Sequence, residues 1–190
     1  RHGDAGVDII TGAAMSEIRH DNGGFVGATL EDGRQIDADM LVVGIGVAPN
    51  TDLAAQADLA IANGIVTDGT MRTSRPDIYA IGDGAFDGSG AYGLRIESVH
   101  NAQEQAERAA ASITGNDVPR RQVPWFWSDQ YDVKLQSAGV LPANNTDLHH
   151  VQRAGRREGG FSVWSFAGDD LVAVEAIGDP AAYVLGKTCL

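Results

Sequence analysis

Sulfur chemistry is nearly absent from this 190-residue chain. Its single cysteine, Cys189, leaves no internal disulfide framework and no multi-thiolate metal site. A lone thiol fits a reducing compartment, and the expected location is the cytoplasm. Aromatic residues are only 6% of the chain and charged residues only 21%. No apolar run reaches the roughly 18 residues of a membrane helix. Basic charge is also scarce: 14 Lys and Arg stand against 26 Asp and Glu, a net charge of −12. A duplex-binding protein carries a basic face, so nucleic acid is excluded as the main partner. Lysine is almost missing, with only Lys134 and Lys187 beside 12 arginines, which reads as genome bias before function. What is plentiful is apolar residue, 43%, enough for a packed core and too much for disorder.

The chain has no initiator Met, and residues 1–6 resemble neither a signal nor a transit peptide. A strand-like run follows at once at 7–10, and Asp179-Pro180 announces a helix close to Leu190. These ends predict a fragment of a longer protein.

Strands are expected at 25–30 and 34–38, joined by a turn at Glu31-Asp32-Gly33. The near-continuous apolar run 40–47 predicts a strand buried on both faces. A short helix is expected within 52–62, and short strands at 65–67 and 77–81. A flexible loop with glycines at 84, 88, 90 and 93 comes next. Ser98 then caps the clearest helix, with Ala102, Ala106, Ala109, Ala110 and Ile113 on one face and Gly115 as its stop. Such a small-residue face lets the backbone lie close to a sheet or a ligand. Residues 117–124, with two prolines and Arg120-Arg121, mark a domain boundary. Beyond it strands are expected at 133–137, 150–153, 161–166 and 171–177, the last two a hairpin about Asp169-Asp170.

Several glycine and histidine features carry little chemistry. Gly44-Ile-Gly46 follows an apolar run, but Pro49 and Asn50 stand where a dinucleotide loop needs its third glycine and helix start, and Gly82-Asp83-Gly84 fails likewise. His149-His150 would point to opposite faces of a strand and could not share an ion, so no metal site is expected. Arg153, Arg156 and Arg157 suit a solvated turn or a docking patch. No catalytic acid, base or nucleophile constellation stands out.

One segment is more specific: Thr73-Ser-Arg-Pro-Asp-Ile-Tyr-Ala-Ile-Gly82-Asp83, of pattern T-x6-A-x-G-D. A strand delivers Gly82 to its carboxyl end, where α/β sheets bind ligands. Without a Cβ, Gly82 allows close backbone approach. Asp83 is then a fixed acceptor suited to sugar-alcohol hydroxyls. An Asp capping a turn would look the same.

This segment, with Asp39-Met-Leu-Val-Val-Gly-Ile-Gly-Val-Ala-Pro-Asn-Thr51 at matching distance before it, resembles the pyridine nucleotide-disulfide oxidoreductase superfamily. Arg95-Ile-Glu-Ser-Val-His-Asn-Ala102 and Pro124-Trp-Phe-Trp-Ser-Asp-Gln130 are similar to one branch, the FAD-dependent NAD(P)H:ferredoxin reductases that serve bacterial oxygenases, such as the putidaredoxin, rhodocoxin and biphenyl-dioxygenase reductases. The resemblance implies an α/β two-dinucleotide-domain flavoprotein followed by a mostly antiparallel α+β interface domain. Residues 1–45 would end the NAD-binding domain, 46–116 close the FAD-binding domain, and 117–190 belong to the C-terminal interface domain.

The resemblance also implies the roles. Asp83, beside Gly82, would bond the ribityl chain of FAD. Val99 would offer its backbone N–H to the flavin ring, where a helix N-terminus suits developing negative charge. Trp127 would lie by the isoalloxazine near a docking surface, and Gly46 near the nicotinamide of NADH. The parent enzyme would move electrons from NADH through FAD to a [2Fe–2S] ferredoxin, or to a rubredoxin. A rubredoxin reductase, an NADH oxidase, an apoptosis-inducing-factor-like protein or an inactive fragment are the alternatives. The acidic balance is at odds with an acidic partner: the helix after Val99 offers Glu104 and Glu107 with only Arg108 basic, so docking would fall to Arg95, Arg120 and Arg121.

Overall fold

The computed structural model describes residues 1–89, 93–142 and 147–190, which fall into two units, Arg1–Val47 and Ala48–Leu190. The first unit is a three-stranded antiparallel meander of β1 (Met15–Asp21), β2 (Gly24–Leu30) and β3 (Gln35–Asp37), in that order. Asn22 and Gly23, both at positive φ (48° and 81°), form the two-residue turn that joins β1 to β2. The expected hairpin between β2 and β3 is present. Asp32 fixes its turn by accepting from the Arg34 backbone N–H (3.1 Å) and from Arg34 Nε (2.7 Å).

Two expectations fail in this unit. Residues 7–10 form no strand, and neither do 40–47. The second run is largely exposed, with Val42 at 83% and Ile45 at 91%. A strand exists only by pairing, and no strand lies beside 40–47 among the described residues. Its apolar character is that of a doubly covered strand, and nothing described covers it.

In the second unit, helix α1 (Asp52–Gln56) is shorter than the expected 52–62. Asp58 takes a left-handed conformation (φ 56°), which stops the helix, and β4 (Ile61–Ala62) begins three residues later. β4 pairs antiparallel with β5 (Gly64–Thr67), and β5 pairs parallel with β6 (Ala85–Asp87). β6 lies inside the expected glycine loop, of which Gly90 falls outside the described residues. The expected strand at 77–81 is reduced to one bridge, Arg72 with Tyr79.

Helix α2 (Val99–Thr114) starts and stops where its caps predict. Ser98 Oγ accepts from the Asn101 N–H (3.1 Å), and Gly115 closes the helix at φ 72°.

The remaining chain builds one antiparallel sheet in the order β7-β8-β11-β10-β9, with a helix packed on it. Its strands are β7 (Trp125–Gln130), β8 (Val133–Gly139), β9 (Leu148–Ala154), β10 (Phe161–Ala167) and β11 (Asp170–Ile177). β7 falls outside the expected strands; the other four extend them by one to three residues. Asp179 and Pro180 open α3 (Pro180–Cys189) as expected, the Asp179 carboxylate accepting from the Ala182 N–H (3.3 Å). α3 seats on the sheet through small residues. Tyr183 packs with Ala138 and Ala176, and Gly186 lies so close to Val174 that a Cβ there would sit 2.6 Å from its Cγ2. No helix among the described residues is long and apolar enough to cross a membrane.

Candidate functional site

The T-x6-A-x-G-D segment folds back on itself and presents its end. Thr73 closes it by donating both its N–H (2.9 Å) and its hydroxyl (3.0 Å) to the Ile78 carbonyl. The Ala80 N–H reaches the carbonyl of fully buried Met71 (3.1 Å). Gly82 then turns the chain at φ 75°, opening a short 3-10 turn over Gly82–Gly84. A Cβ at Gly82 would meet Ala102 at an ordinary 3.9 Å, so the backbone conformation, rather than lack of room, calls for glycine. The Gly82 N–H donates to Gln105 Oε1 (2.7 Å), and Arg95 Nη1 donates to the Asp83 carbonyl (2.6 Å). The first bond ties the turn to α2, the second ties it to the segment before α2, and the Asp83 side chain stays exposed.

Asp83 faces an open groove of about 510 Å³, shared with Ser98, Val99, Ala102, Gln103 and Ala106. The structure therefore brings Gly82, Asp83 and Val99 to one place. Val99 occupies the first helical position of α2, where a backbone N–H has no intrahelical acceptor. Ala102 and Ala106 line the groove without filling it, so a flat group can lie against the helix. Gly46 belongs to the other unit.

The buried face of α2 is a surprise. It is formed by Asn101, Glu104, Gln105, Arg108 and Ala109, while Ile113 on the predicted apolar stripe is 64% exposed. Polar residues can be buried there because each is satisfied. Asn101 Nδ2 donates to the Ile96 carbonyl (2.9 Å). Arg108 donates to the Gly69 carbonyl and, at 2.8 Å, to the Pro119 carbonyl, with the Glu104 carboxylate at 3.6 Å. Nearby, burial alone would push the Asp87 carboxyl up, yet hydrogen bonds from Arg121 and Ser89 hold it below the usual carboxylate range. This face packs the motif segment onto the chain that leads to the C-terminal sheet. Gln105 carries no sequence signal for its part: it lies a helical turn beyond any recognised motif.

The same network settles which arginines are available. Arg108 is buried, the Arg95 side chain is 6% exposed and bound to Glu97 (2.5 Å), and Arg121 is held by Asp87. Of Arg95, Arg120 and Arg121, to which docking would fall, Arg120 is the exposed one.

Beside the start of α2 stands an aromatic row. The His100 ring is 5.1 Å from Trp125, and Trp125 is 5.4 Å from Trp127. Trp125 also packs toward Tyr183 (6.4 Å), and the Lys187 ammonium lies 4.9 Å above its ring. Trp125 is thus part of the core of the sheet and α3, whereas Trp127 remains 40% exposed. Burial, and then the Lys187 charge, push the His100 imidazole down, against the opposing pull of Glu104 and Glu107; burial pushes the Tyr183 phenol up. His100, part of the 95–102 motif but given no role by it, is thereby held neutral next to Val99.

Residues 1–106 match the family model described as pyridine nucleotide-disulphide oxidoreductase, and residues 125–190 match the one described as reductase C-terminal. Rhodocoxin reductase of Rhodococcus erythropolis is 41% identical over all of this chain and 44% of its own length. Putidaredoxin reductase of Pseudomonas putida is 40% identical over 98% of this chain and 44% of its own. Among solved structures, the ferredoxin reductase for the CYP199A2 system of Rhodopseudomonas palustris superposes with a TM-score of 0.88 at 39% identity, covering 98% of this chain and 46% of that one. The covalent putidaredoxin reductase–putidaredoxin complex gives a TM-score of 0.90 at 37% identity, over 98% and 45%. The chain thus spans under half the length of the curated relatives it matches. It belongs to the pyridine nucleotide-disulphide oxidoreductase family.

Proposed function

We propose that this chain is the part of a flavoprotein reductase that receives the flavin end of FAD and presents it to an electron-accepting protein. The observation that carries the reading is the groove at the start of α2, where an exposed Asp83 carboxylate, the first-turn N–H of Val99 and the small side chains of Ala102 and Ala106 converge. That donor set fits a flavin: a carboxylate for ribityl hydroxyls, a positive helix end for the electron-rich edge of the ring, and a flat wall. When bound, FAD supplies hydride acceptance from NADH and one-electron delivery to the acceptor. The chain's own residues hold and orient. Gly82 sets the turn, Asp83 would hold the ribityl hydroxyls, Val99 would offer its amide to the flavin, Trp127 would serve the flavin ring, and Gly46 would serve the nicotinamide.

The partner is a small iron–sulfur protein of the [2Fe–2S] ferredoxin class in an oxygenase system, working in the cytoplasm. On this reading residues 1–45 end an NAD-binding domain, 46–116 close the FAD-binding domain and 117–190 form the interface domain. A rubredoxin is the second reading, and one observation favours an unusual partner. The exposed charges beside the groove, Glu97 and Glu107, are acidic, while Arg95 and Arg108 are turned inward.

The direct test is NADH-driven reduction of an added [2Fe–2S] ferredoxin and of a rubredoxin by the full-length reductase; failure to reduce either would overturn the proposal. Asp83→Ala in the same protein is expected to weaken FAD about 10- to 100-fold, the worth of one charge-assisted hydrogen bond. The chain's one G-x-G-x-x-G pattern, at 88–93, does not open a helix, since the next described one starts only at Val99, so the 190-residue chain lacks the loop-to-helix pyrophosphate cradle and should bind FAD weakly. Tight stoichiometric binding by it would contradict this assignment of roles.

A further inference from the structure

The far edge of the C-terminal sheet holds a second cavity, of about 350 Å³, between β9, β10 and the first turn of α3. Four strand spacings, roughly 19 Å, separate β9 from β7, so this cavity is remote from Trp127 and from the groove at Val99.

Its wall is basic in an acidic protein. In a chain of net charge −12, Arg19, Arg34, Arg95, Arg108 and Arg121 each have a carboxylate partner. Arg153, Arg156 and Arg157 lie within five residues of one another, and none of them meets a carboxylate among the described residues. Two of the three, Arg153 and Arg156, line the cavity.

The Arg153 guanidinium lies over the Trp164 ring, 5.7 Å from its centroid. A cation held over an aromatic face keeps N–H groups for a planar acceptor. Trp164 is itself held in place, its Nε1 donating to Ser162 Oγ (3.0 Å). The opposite wall is apolar, from Ala181, Ala182 and Leu185 at the start of α3. The one acid in the wall, Asp179, is buried and engaged as the cap of α3. A carboxylate so placed tolerates a monoanion held by two guanidiniums and disfavours a dianion such as phosphate.

We propose that this cavity is a ligand site, distinct from the flavin groove, for a small organic monocarboxylate with an apolar body. The carboxylate meets the N–H edges of Arg153 and Arg156, and the body lies on the first turn of α3. The site does not depend on the flavin reading.

The test uses the 190-residue chain, ¹⁵N-labelled, with benzoate as probe and the Trp164 indole N–H as reporter. The neutral analogue benzamide and inorganic phosphate are the comparisons. The expected result is a saturable shift with benzoate and binding at least about tenfold weaker for benzamide and for phosphate, the scale of one lost charged hydrogen bond. Arg156→Gln, in an exposed loop, should weaken benzoate about tenfold with the rest of the spectrum unchanged. Arg157→Gln, outside the cavity, should leave benzoate binding as it was. Equal binding of benzamide or phosphate, an unaltered affinity in Arg156→Gln, or no saturable shift with benzoate would each overturn the proposal.

Discussion

Replacing Arg108 by Met tests how the motif segment is joined to the rest of the second unit. The guanidinium is buried against three acceptors from different parts of the chain: the Gly69 carbonyl, the Pro119 carbonyl at 2.8 Å and the Glu104 carboxylate at 3.6 Å. Methionine keeps much of the apolar stem but removes every donor. The carbonyls of half-buried Gly69 and exposed Pro119 lose their partner, and Glu104 is left as a buried charge without its guanidinium. Breaking a buried ion pair from one side costs about 3–5 kcal/mol, and that range is the expected total, since part of the carbonyl loss is recovered by water. For a unit of this size it corresponds to a fall in melting temperature of roughly 10 °C. Arg108→Lys retains the charge as a single point that cannot span two carbonyls, so its loss should be smaller, about 1–3 kcal/mol. Glu104→Met added to Arg108→Met removes the stranded carboxylate and should recover stability rather than lose more. Urea unfolding followed by tryptophan emission reads all three, because Trp125, Trp127 and Trp164 lie in this unit. A loss below about 1 kcal/mol in Arg108→Met would refute the buried network and reopen Arg108 as a docking residue.

Two glycines should respond to alanine for different reasons. Gly186→Ala gains helix propensity of about 1 kcal/mol but drives a Cβ to 2.6 Å from Val174, and overpacking of about 1–3 kcal/mol should leave a net loss in urea midpoint. A stabilised variant would mean that α3 does not seat on β11 as described. Gly82→Ala meets nothing closer than 3.9 Å and should cost only the left-handed conformation, about 1–2 kcal/mol, with the far-ultraviolet circular dichroism unchanged. Complete unfolding of that variant would contradict it. His100 has a depressed folded pKa. Above the free-imidazole value of about 6.5 both states are neutral and its contribution is intact. As pH falls below that value the unfolded state takes up the proton first, so stability declines. The decline should be shallower in His100→Gln; identical pH profiles for the two proteins would count against a buried neutral imidazole.

Short-range signals in the sequence were reliable where the chemistry acts within a few residues. Ser98 and Gly115 bound α2, Asp179-Pro180 opens α3, and the β2–β3 turn forms at Asp32-Gly33. The apolar run at 40–47 misled, because apolarity reports the cover a strand would need and pairing requires a second strand beside it. Residues 125–130 were legible as a motif but not as a strand: the alternation of Trp125, Phe126 and Trp127 breaks the simple polar–apolar pattern of an edge. In the site, Asp83 could be read from its motif and Val99 from the family resemblance, and the structure brings them to one groove. Gln105 and His100 could not, since their roles come from a neighbouring turn and a neighbouring sheet.

Family membership and the local elements were therefore within reach of the residues alone, because caps, turns and fixed motif spacings are properties of contiguous chain. Which face of α2 is buried was not. Its alanine stripe invited burial, yet Asn101, Glu104, Gln105 and Arg108 went inside. A polar residue is buried wherever acceptors arrive to satisfy it, and here they come from Gly69, Ile96 and Pro119, five to thirty-nine positions away. Ala102 and Ala106 were thereby left to line the open groove, while Ala109 of the same stripe is buried. The same packing withdrew Arg95, Arg108 and Arg121 from the surface, a result that charge counting along the chain has no means to supply.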